Sequence, residues 1–322
     1  MNVLDQCVND KFAIYHGDCV EIMRGLPDES VHLSLFSPPY SSLYVYSNSV
    51  RDIGNCVNDE EFFEHFRFVV EQLYRIMKPG RQVAVDCMNM SSTITREGYI
   101  GIKDFRGDLI RMFQSFGFIF HTEFVVWKDP LVEATRTKAL GLLHKQLCKD
   151  SAMCRAGGPQ YLLCFRKPGE NPEPVAHEHG LQAFYGEEPP ASGNLSHERW
   201  RRYASPVWMD ISPTNTLQKE SAREEEDEKH ICPMSLDIIA RAIELYSNPG
   251  DVVFDPFSGL GSTAYQAVLM GRYGLGTELK ESYYKQAVEN CKRAEKDAKT
   301  PQFTLDIFTE AKQAVLSLGN GD

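Results

Sequence analysis

Apolar residues recur in the first third of the chain in two alternating periods, one typical of β-strands and one typical of helices. Short apolar runs rich in β-formers predict strands, and apolar positions three and four apart predict helices. The predicted strands occupy residues 12–15, 31–36, 81–87 and 118–127, and the predicted helices residues 19–26, 59–77 and 105–116. Because strands separated by helices form parallel crossover units, this pattern predicts an α/β fold with a mostly parallel sheet.

The same alternation returns in the last third of the chain. Helices are predicted at 231–246, 262–270 and 283–296, and strands at 252–254 and 273–277. Between 128 and 231 the alternation fades, apart from an apolar strand at 161–165. A stretch of about 100 residues without such a pattern inside an α/β domain indicates a functional insertion or a disordered linker.

The strand that starts at Val31 ends at two consecutive prolines, Pro38 and Pro39. Neither proline can donate to a sheet ladder, so the strand must stop there. The carboxyl edge of a parallel strand faces the crevice in which α/β sheets bind ligands. We therefore expect Ser37, Pro38, Pro39 and Tyr40 to present a hydroxyl, free carbonyls and an aromatic ring to a ligand; a Pro-Pro turn with no further role is the simpler alternative.

A second tight turn, residues 255–261 (DPFSGLG), joins a strand to a helix. Its glycines let a ligand approach the backbone, and Glu278, at the end of the next strand, is placed to accept the hydroxyls of a ribose. The third glycine of a dinucleotide site and the lysine of a P-loop are both missing, which favours an adenosyl group without a pyrophosphate. Asp18 lies at the mouth of the same crevice, where helix N-cap and ligand contact are equal alternatives.

Composition excludes several classes of protein. The 322 residues are 42% hydrophobic and contain no apolar run long enough to span a bilayer, and the N-terminus has neither the basic region nor the apolar core of a signal peptide. The nine cysteines are scattered without the spacing of a zinc site, so we expect reduced thiols in the cytoplasm, no metal and no membrane contact.

The net charge of −11 argues mildly against nonspecific binding of polyanions, but its distribution is uneven. Residues 128–167 hold eight Lys or Arg against three Asp or Glu, whereas acidic residues are concentrated at 220–228. Cations next to aromatic rings favour contact with nucleic acid, and a packed surface cluster is the alternative. The candidate DNA-binding residues are Arg136, Lys138, Lys145, Arg199, Trp200, Arg201 and Arg202.

Several motifs together make the chain similar to a known family. DPFSGLGST followed by TEL, and GDCVEIMRGLPDESVHLSLFSPPY upstream, resemble the amino-group DNA methyltransferases that use S-adenosylmethionine. The order of the motifs, with SPPY first and the glycine turn last, resembles the permuted β class, and HICPMSLDIIARAIELYSNPGD resembles the helix that closes over the methionine end. The likeness covers residues 10–165 and 228–294. It implies a Rossmann-like methyltransferase fold with an inserted target-recognition region.

The resemblance also implies roles for individual residues. Ser37, Pro38, Pro39 and Tyr40 would hold a base flipped out of double-stranded DNA, with the exocyclic amine bonded to Ser37 and to the Pro38 carbonyl and with Tyr40 stacked on the base. S-adenosylmethionine would contact Asp18, Cys19, His230, Pro233, Asp255, Pro256, Phe257, Ser258, Gly259, Gly261, Ser262 and Glu278. Leu260 departs from the family, which often has a small hydroxyl residue there.

On this basis the chain divides into four parts. A catalytic part (1–127) is followed by a target-recognition insert (128–229), whose start includes the predicted strand at 161–165, then by a cofactor-binding part (230–296) and a C-terminal tail (297–322). A homodimer is a hypothesis from the class alone. The sequence does not assign a recognition site or a partner nuclease.

The base that is methylated stays open. Ser before Pro-Pro resembles the cytosine-N4 enzymes, whereas adenine N6 methylation is the more frequent activity of the class and is slightly favoured. Cytosine C5 methylation is rejected, because it needs a Pro-Cys pair and the chain has none. More distant alternatives are a noncatalytic DNA-binding protein and an RNA or protein amine methyltransferase.

Overall fold

The computed structural model describes residues 3–40, 56, 58–92, 98–137, 140–177, 181, 195–218 and 233–299. The strands are β1 (Asp5–Val8), β2 (Phe12–His16), β3 (Val31–Phe36), β4 (Met77–Met88), β5 (Met90–Ser92), β6 (Gly101–Lys103), β7 (Ile119–Val126), β8 (Gln160–Arg166), β9 (Val207–Trp208), β10 (Val252–Asp255) and β11 (Tyr273–Glu278). The α-helices are α1 (Cys19–Arg24), α2 (Asp59–Ile76), α3 (Phe105–Ser115), α4 (Pro130–Thr137), α5 (His144–Lys149), α6 (Leu195–Tyr203), α7 (Leu236–Tyr246), α8 (Ser262–Leu269) and α9 (Glu281–Lys299).

Nine strands of the described chain form one sheet, in the order β1-β2-β11-β10-β3-β4-β8-β7-β9. Its centre, from β2 to β4, is parallel throughout, while β1 and β8 are antiparallel to their inner neighbours and β7 is antiparallel to β8. The predicted α/β fold with a mostly parallel sheet is therefore confirmed. β5 and β6 form a separate hairpin.

Two strands from opposite ends of the sequence lie side by side at the centre of the sheet. β3 pairs with β10 in parallel, with Val253 opposite Leu33 and Phe254 opposite Ser34. Their carboxyl ends therefore point the same way, and the segments that follow them, 37–40 and 255–261, leave the same edge of the sheet. The order of the strands also reverses between β10 and β3, which is where open α/β sheets bind ligands.

Helices cover both faces of the sheet with apolar side chains. On one face, Phe36, Val83 and Val85 pack with residues of α2 and α3; on the other, Leu35 and Ala84 pack with residues of α7. Both side chains of each pair in register, Leu35 with Ala84 and Phe36 with Val85, thus belong to the same layer. No helix among the described residues is long and apolar enough to cross a membrane.

The predicted start of one helix is wrong, whereas the end of α2, predicted at residue 77, is confirmed to within one residue. The helix predicted to start at 231 begins at Leu236, because Ser235 has an extended backbone and its side chain accepts the N–H of Asp237, which makes it the N-cap. The Lys78-Pro79-Gly80 segment, predicted to follow α2 as a terminator, lies inside β4. α2 passes into β4 without a loop. The register between β3 and β4 is irregular at this point, because Val31 pairs with Met77 while Leu33 pairs with Gln82, and the additional residues of β4 lie between these two pairs.

The insert predicted at 128–229 contributes two strands to the central sheet. β8 lies between β4 and β7, as the apolar pattern at 161–165 predicts, and β9 pairs with β7 at the edge. At the other end of the chain, α9 continues past residue 296 to Lys299, so the start of the predicted tail is helical. The rest of that tail lies outside the described residues.

Candidate active site

The glycine turn that follows β10 is held by its own backbone and by the neighbouring strand β11. The Ser258 N–H donates to the Thr277 carbonyl at 2.9 Å, and the Gly261 N–H donates to the Ser258 carbonyl at 2.7 Å. Gly261 is the N-cap of α8 and has a φ of 78°, and a Cβ built there would lie 2.9 Å from the Cβ of Ala287. Only glycine fits this position without a shift of α9.

Space is left open above Gly259 in the same turn. Gly259 has a φ of 50°, and a Cβ built on it would meet no atom within 4 Å. Its N–H donates at 2.8 Å to the Oε2 of Glu278, whose Oε1 accepts the Lys280 N–H at 2.8 Å. A carboxylate therefore lies beside an open stretch of backbone, and this arrangement fits a ligand that has hydroxyl groups and approaches the turn closely.

Asp18 and Cys19 lie at the next strand end. The Gly17 N–H donates to the Glu278 carbonyl at 2.9 Å, so the end of β2 is joined to the end of β11. The Oδ1 of Asp18 accepts the Glu21 N–H at 3.0 Å, which makes Asp18 the N-cap of α1. The thiol of Cys19 is buried, and burial, with a smaller contribution from the charge of Asp18, raises its pKa well above the ordinary value. Cys19 is therefore a neutral thiol that packs as a small apolar side chain.

Other predicted cofactor residues shape the turn from inside. Pro256 accepts the Thr277 hydroxyl through its carbonyl at 2.6 Å, and Ser258 donates its own hydroxyl to the Asp255 carbonyl at 3.1 Å. Ser262 is buried at the start of α8. Pro233 is half-buried two residues before the N-cap of α7, whereas His230 lies outside the described residues.

Asp255 is buried at the end of β10, and burial raises the pKa of its carboxyl to about 7. A hydrogen bond from the Phe257 N–H, at 2.8 Å, and one between the Asp255 carboxyl and the Thr263 side chain lower the pKa. The Thr263 hydroxyl also donates to the Leu35 carbonyl at 3.2 Å. One side chain of α8 thus contacts the ends of both β10 and β3, and joins the two turns.

The segment 37–40 leaves β3 as predicted and is packed from below by aromatic rings. Pro38 is buried, while Ser37, Pro39 and Tyr40 are half-buried. The Tyr40 ring lies 5.8 Å from that of Phe105, and Phe36 lies 5.7 Å from Phe257 in the glycine turn. These contacts join the two turns on the α2 and α3 face and restrict the direction of the Tyr40 ring.

A buried carboxyl that sequence reasoning missed lies on the strand next to β3. Asp86 is 4% exposed near the end of β4, and burial raises its pKa to about 7. The Nε2 of Gln160 lies 2.7 Å from both carboxylate oxygens. The signal in the sequence was an acidic residue inside an apolar run, RQVAVDC.

The predicted DNA-binding residues fall into two groups. Arg199 was expected to face DNA and instead is buried, with ion pairing to Glu244 and hydrogen bonds to the Tyr203 hydroxyl at 3.0 and 2.8 Å. That prediction is corrected: Arg199 attaches α6 to α7. By contrast Lys145, Trp200, Arg201 and Arg202 are exposed. The side chain of Arg136 and the whole of Lys138 lie outside the described residues.

One group of described residues at the opposite edge of the sheet could offer ligands to a metal: His32, Glu173 and Asp251. The carboxylates are already paired with cations, since Asp251 lies 3.0 Å from Arg81 and Glu173 lies 3.0 Å from Lys78. The Val252 N–H donates to the Nδ1 of His32 at 3.0 Å. These contacts form an ion-pair network that joins the starts of β3 and β10 to β4.

Comparison with known proteins agrees with this geometry. A sequence model for a family of DNA methylases, N6_N4_Mtase, matches residues 31–289. The type II methyltransferase M.BglII of Bacillus subtilis is 26% identical over 84% of the chain and 66% of its own length. M.MjaI of Methanocaldococcus jannaschii is 25% identical over 88% of the chain and 91% of its own length.

A solved structure from Thermus thermophilus, described as a DNA modification methylase, has a similar fold. It superposes with a TM-score of 0.62 at 21% identity, over 90% of this chain and 96% of that one. At this level of identity the match concerns the fold alone, and it supports the Rossmann-like arrangement predicted from the motifs.

Proposed function

Because the chain belongs to the N6/N4 family of DNA methylases, we propose that it transfers a methyl group from S-adenosylmethionine to the exocyclic amine of a base flipped out of double-stranded DNA. One observation carries this proposal. The SPPY segment, 37–40, and the glycine turn, 255–261, follow two parallel strands that are direct neighbours. A methyl donor in one turn and an amine in the other would lie at the same edge of the sheet.

The glycine turn fits the cofactor. Open space above Gly259 would admit the adenosyl part, and the Glu278 carboxylate beside it would accept the ribose hydroxyls. Asp18, the N-cap of α1 shortly after the end of β2, would reach the adenine. S-adenosylmethionine supplies an activated methyl group when bound, and the residues of the turn fix its position and exclude water.

The SPPY segment would hold the amine in line with that methyl group. An exocyclic amine shares its lone pair with the ring, and acceptors at the Ser37 hydroxyl and the Pro38 carbonyl would draw the nitrogen towards a tetrahedral shape. The lone pair is then free to attack, and the gain comes from position and local electrostatics. Tyr40, directed by Phe105, would stack on the flipped base.

The DNA surface is proposed on the exposed cations and ring of the insert: Lys145, Trp200, Arg201 and Arg202. The cations would contact phosphates. Trp200, which is 58% exposed, would stack on a base or insert between two bases. A homodimer remains a prediction from the class, and sedimentation that shows a monomer at working concentration would remove it. A cytoplasmic location is part of the same proposal, and the eight described cysteines are free thiols.

Adenine N6 is the favoured target and cytosine N4 the second candidate, which the serine at position 37 favours. The test is incubation with tritiated S-adenosylmethionine and unmethylated DNA, followed by digestion to nucleosides and mass spectrometry. We expect N6-methyladenine or N4-methylcytosine. Label in RNA or protein alone would overturn the proposal, and so would the absence of any transfer.

A further inference from the structure

Methylation of an exocyclic amine produces a cationic nitrogen that must lose a proton. Ser37 and the Pro38 carbonyl are neutral and are weak bases, so neither is suited to accept that proton. The amine nitrogen forms a bond to the methyl carbon while the carbon–sulfur bond breaks, and that electron pair stays on sulfur. The nitrogen is then cationic and must lose an N–H proton. A site that excludes water therefore gains from a base beside the amine.

Ser37 and Asp86 each follow the last residue pair that β3 and β4 form with one another. Leu35 pairs with Ala84 and Phe36 pairs with Val85, the last pair of the two strands, so the same register continued by one position would bring Ser37 opposite Asp86. Leu35 and Ala84 pack on the α7 face, and Phe36 and Val85 pack on the α2 and α3 face. Since side chains alternate along strands, Asp86 falls on the α7 face at the carboxyl edge, and Ser37, directly after β3, would fall on the same face if the alternation continued by one residue.

The pairing of β4 with β8 gives the same direction for Asp86. Its partner there is Leu162, which belongs to the layer on the α7 face, whereas Cys87 belongs to the opposite layer. Gln160 lies two residues before Leu162 on the same face, and its amide nitrogen binds both oxygens of Asp86. The Asp86 carboxyl is thus held in one direction by a neutral partner.

The hydrogen-bond partner Gln160 is neutral, whereas a salt bridge with an arginine would lower the pKa of the carboxyl and weaken it as a base. Burial raises its pKa to about 7, while the Gln160 hydrogen bond and the charge of Lys128 lower it. The other charged groups on β3, β8, α3 and α7, all of which contact β4, are His32, Arg166, Arg106, Asp108, Arg111, Asp237, Arg241 and Glu244. None of these groups is among the causes of the raised pKa of Asp86.

We propose that Asp86, oriented by Gln160, is a further catalytic residue and receives the proton that the target amine loses on methylation. The carboxylate becomes a carboxylic acid and later gives the proton to solvent, so that the charges balance. Asp86 belongs to the methyl-acceptor site beside Ser37, and Gln160 is a positioning residue. The inference rests on the proposed function and adds the base that this function requires.

The test is the pH dependence of single-turnover methylation of DNA. The carboxylate form is the active one, so the wild-type rate should fall as the pH drops below about 7. Asp86→Asn should lower the rate on the order of a hundredfold or more and remove this acid limb, with unchanged binding of S-adenosylmethionine. Gln160→Ala removes a hydrogen bond that lowers the pKa, so its acid limb should move to higher pH.

The outcomes are distinct. If the wild type methylates DNA but Asp86→Asn keeps the wild-type rate and pH profile, Asp86 is not the base, and the proposed function stands. If Asp86→Asn fails to fold or to bind the cofactor, Gln160→Ala decides: a shifted acid limb supports the inference, and an unshifted one overturns it. If the wild type transfers no methyl group to DNA, the proposed function fails and this inference fails with it.

Discussion

The carboxylate of Glu278 accepts the backbone N–H of Gly259 at 2.8 Å, across the gap between the end of β11 and the glycine turn. A single side chain thus fixes the turn and remains beside the open space above Gly259. Glu278 is therefore the residue on which the proposed cofactor site depends most directly.

Replacement of Glu278 by alanine should weaken binding of S-adenosylmethionine about tenfold or more, because hydrogen bonds to a charged group contribute about 1.5–3 kcal/mol each. Isothermal titration calorimetry measures this. The matched control is Glu281→Ala, which removes an exposed carboxylate three residues away that pairs with Lys285. Equal affinities for the two variants would place the cofactor elsewhere.

Gly261→Ala should cost more stability than Gly271→Ala, although both glycines have a positive φ, 78° and 75°. Each alanine should lower the free energy of unfolding by about 1–2 kcal/mol, because a left-handed backbone is strained for a residue with a Cβ. Only the Cβ at 261 would also meet Ala287, whereas the Cβ at 271 meets no atom within 4 Å. Urea unfolding gives the free energy of unfolding for each variant. Equal decreases in the two variants would show that α9 can move away from a Cβ at position 261 without loss of stability.

Arg199→Ala should destabilise the protein by roughly 3–5 kcal/mol, because the charge of Glu244 would be left buried and unpaired. Arg201→Ala is the matched control: its side chain is 70% exposed, and its pair with Glu198 should contribute little to stability. Thermal unfolding and DNA binding are measured for both. Weaker DNA binding without loss of stability in Arg199→Ala would restore its predicted contact with DNA.

The pH dependence of stability should reflect Asp255. Its pKa is raised from 3.8 to about 7, so the folded protein holds this proton more tightly than the unfolded chain. The free energy of unfolding therefore loses a contribution as the pH rises from about 4 to about 7. Asp255→Asn lacks that loss, so its stability relative to the wild type should increase over this range. A constant difference would contradict a buried protonated Asp255.

The arrangement of the site follows from short patterns in the sequence. The prolines at 38 and 39 force β3 to end, and the glycines at 259 and 261 indicate a tight turn after β10. Both strand ends can therefore be located from the sequence alone. Their adjacency is not a local property. It depends on the parallel pairing of β10 with β3, two strands from opposite ends of the chain.

Long-range pairing explains most of what the sequence did not predict. Val207 and Trp208 form a strand only because β7 offers a free edge, and two residues carry no period. Arg199 looks like a surface cation until Glu244, 45 positions later, is brought against it. Asp86 looks like an ordinary strand residue, since its burial comes from β8 and α7 and its hydrogen bonds from Gln160.

The central claim, that the base and the cofactor occupy separate neighbouring turns, is tested most directly by Ser37→Ala. The cofactor affinity and the single-turnover rate are measured on the same preparation. Ser34→Ala serves as a control, since that buried hydroxyl donates to the Phe254 carbonyl inside the sheet, within β3 itself. We predict that Ser37→Ala binds S-adenosylmethionine like the wild type and methylates DNA at least about tenfold more slowly. Weaker cofactor binding with an unchanged rate at saturation would mean that the two turns have the opposite roles.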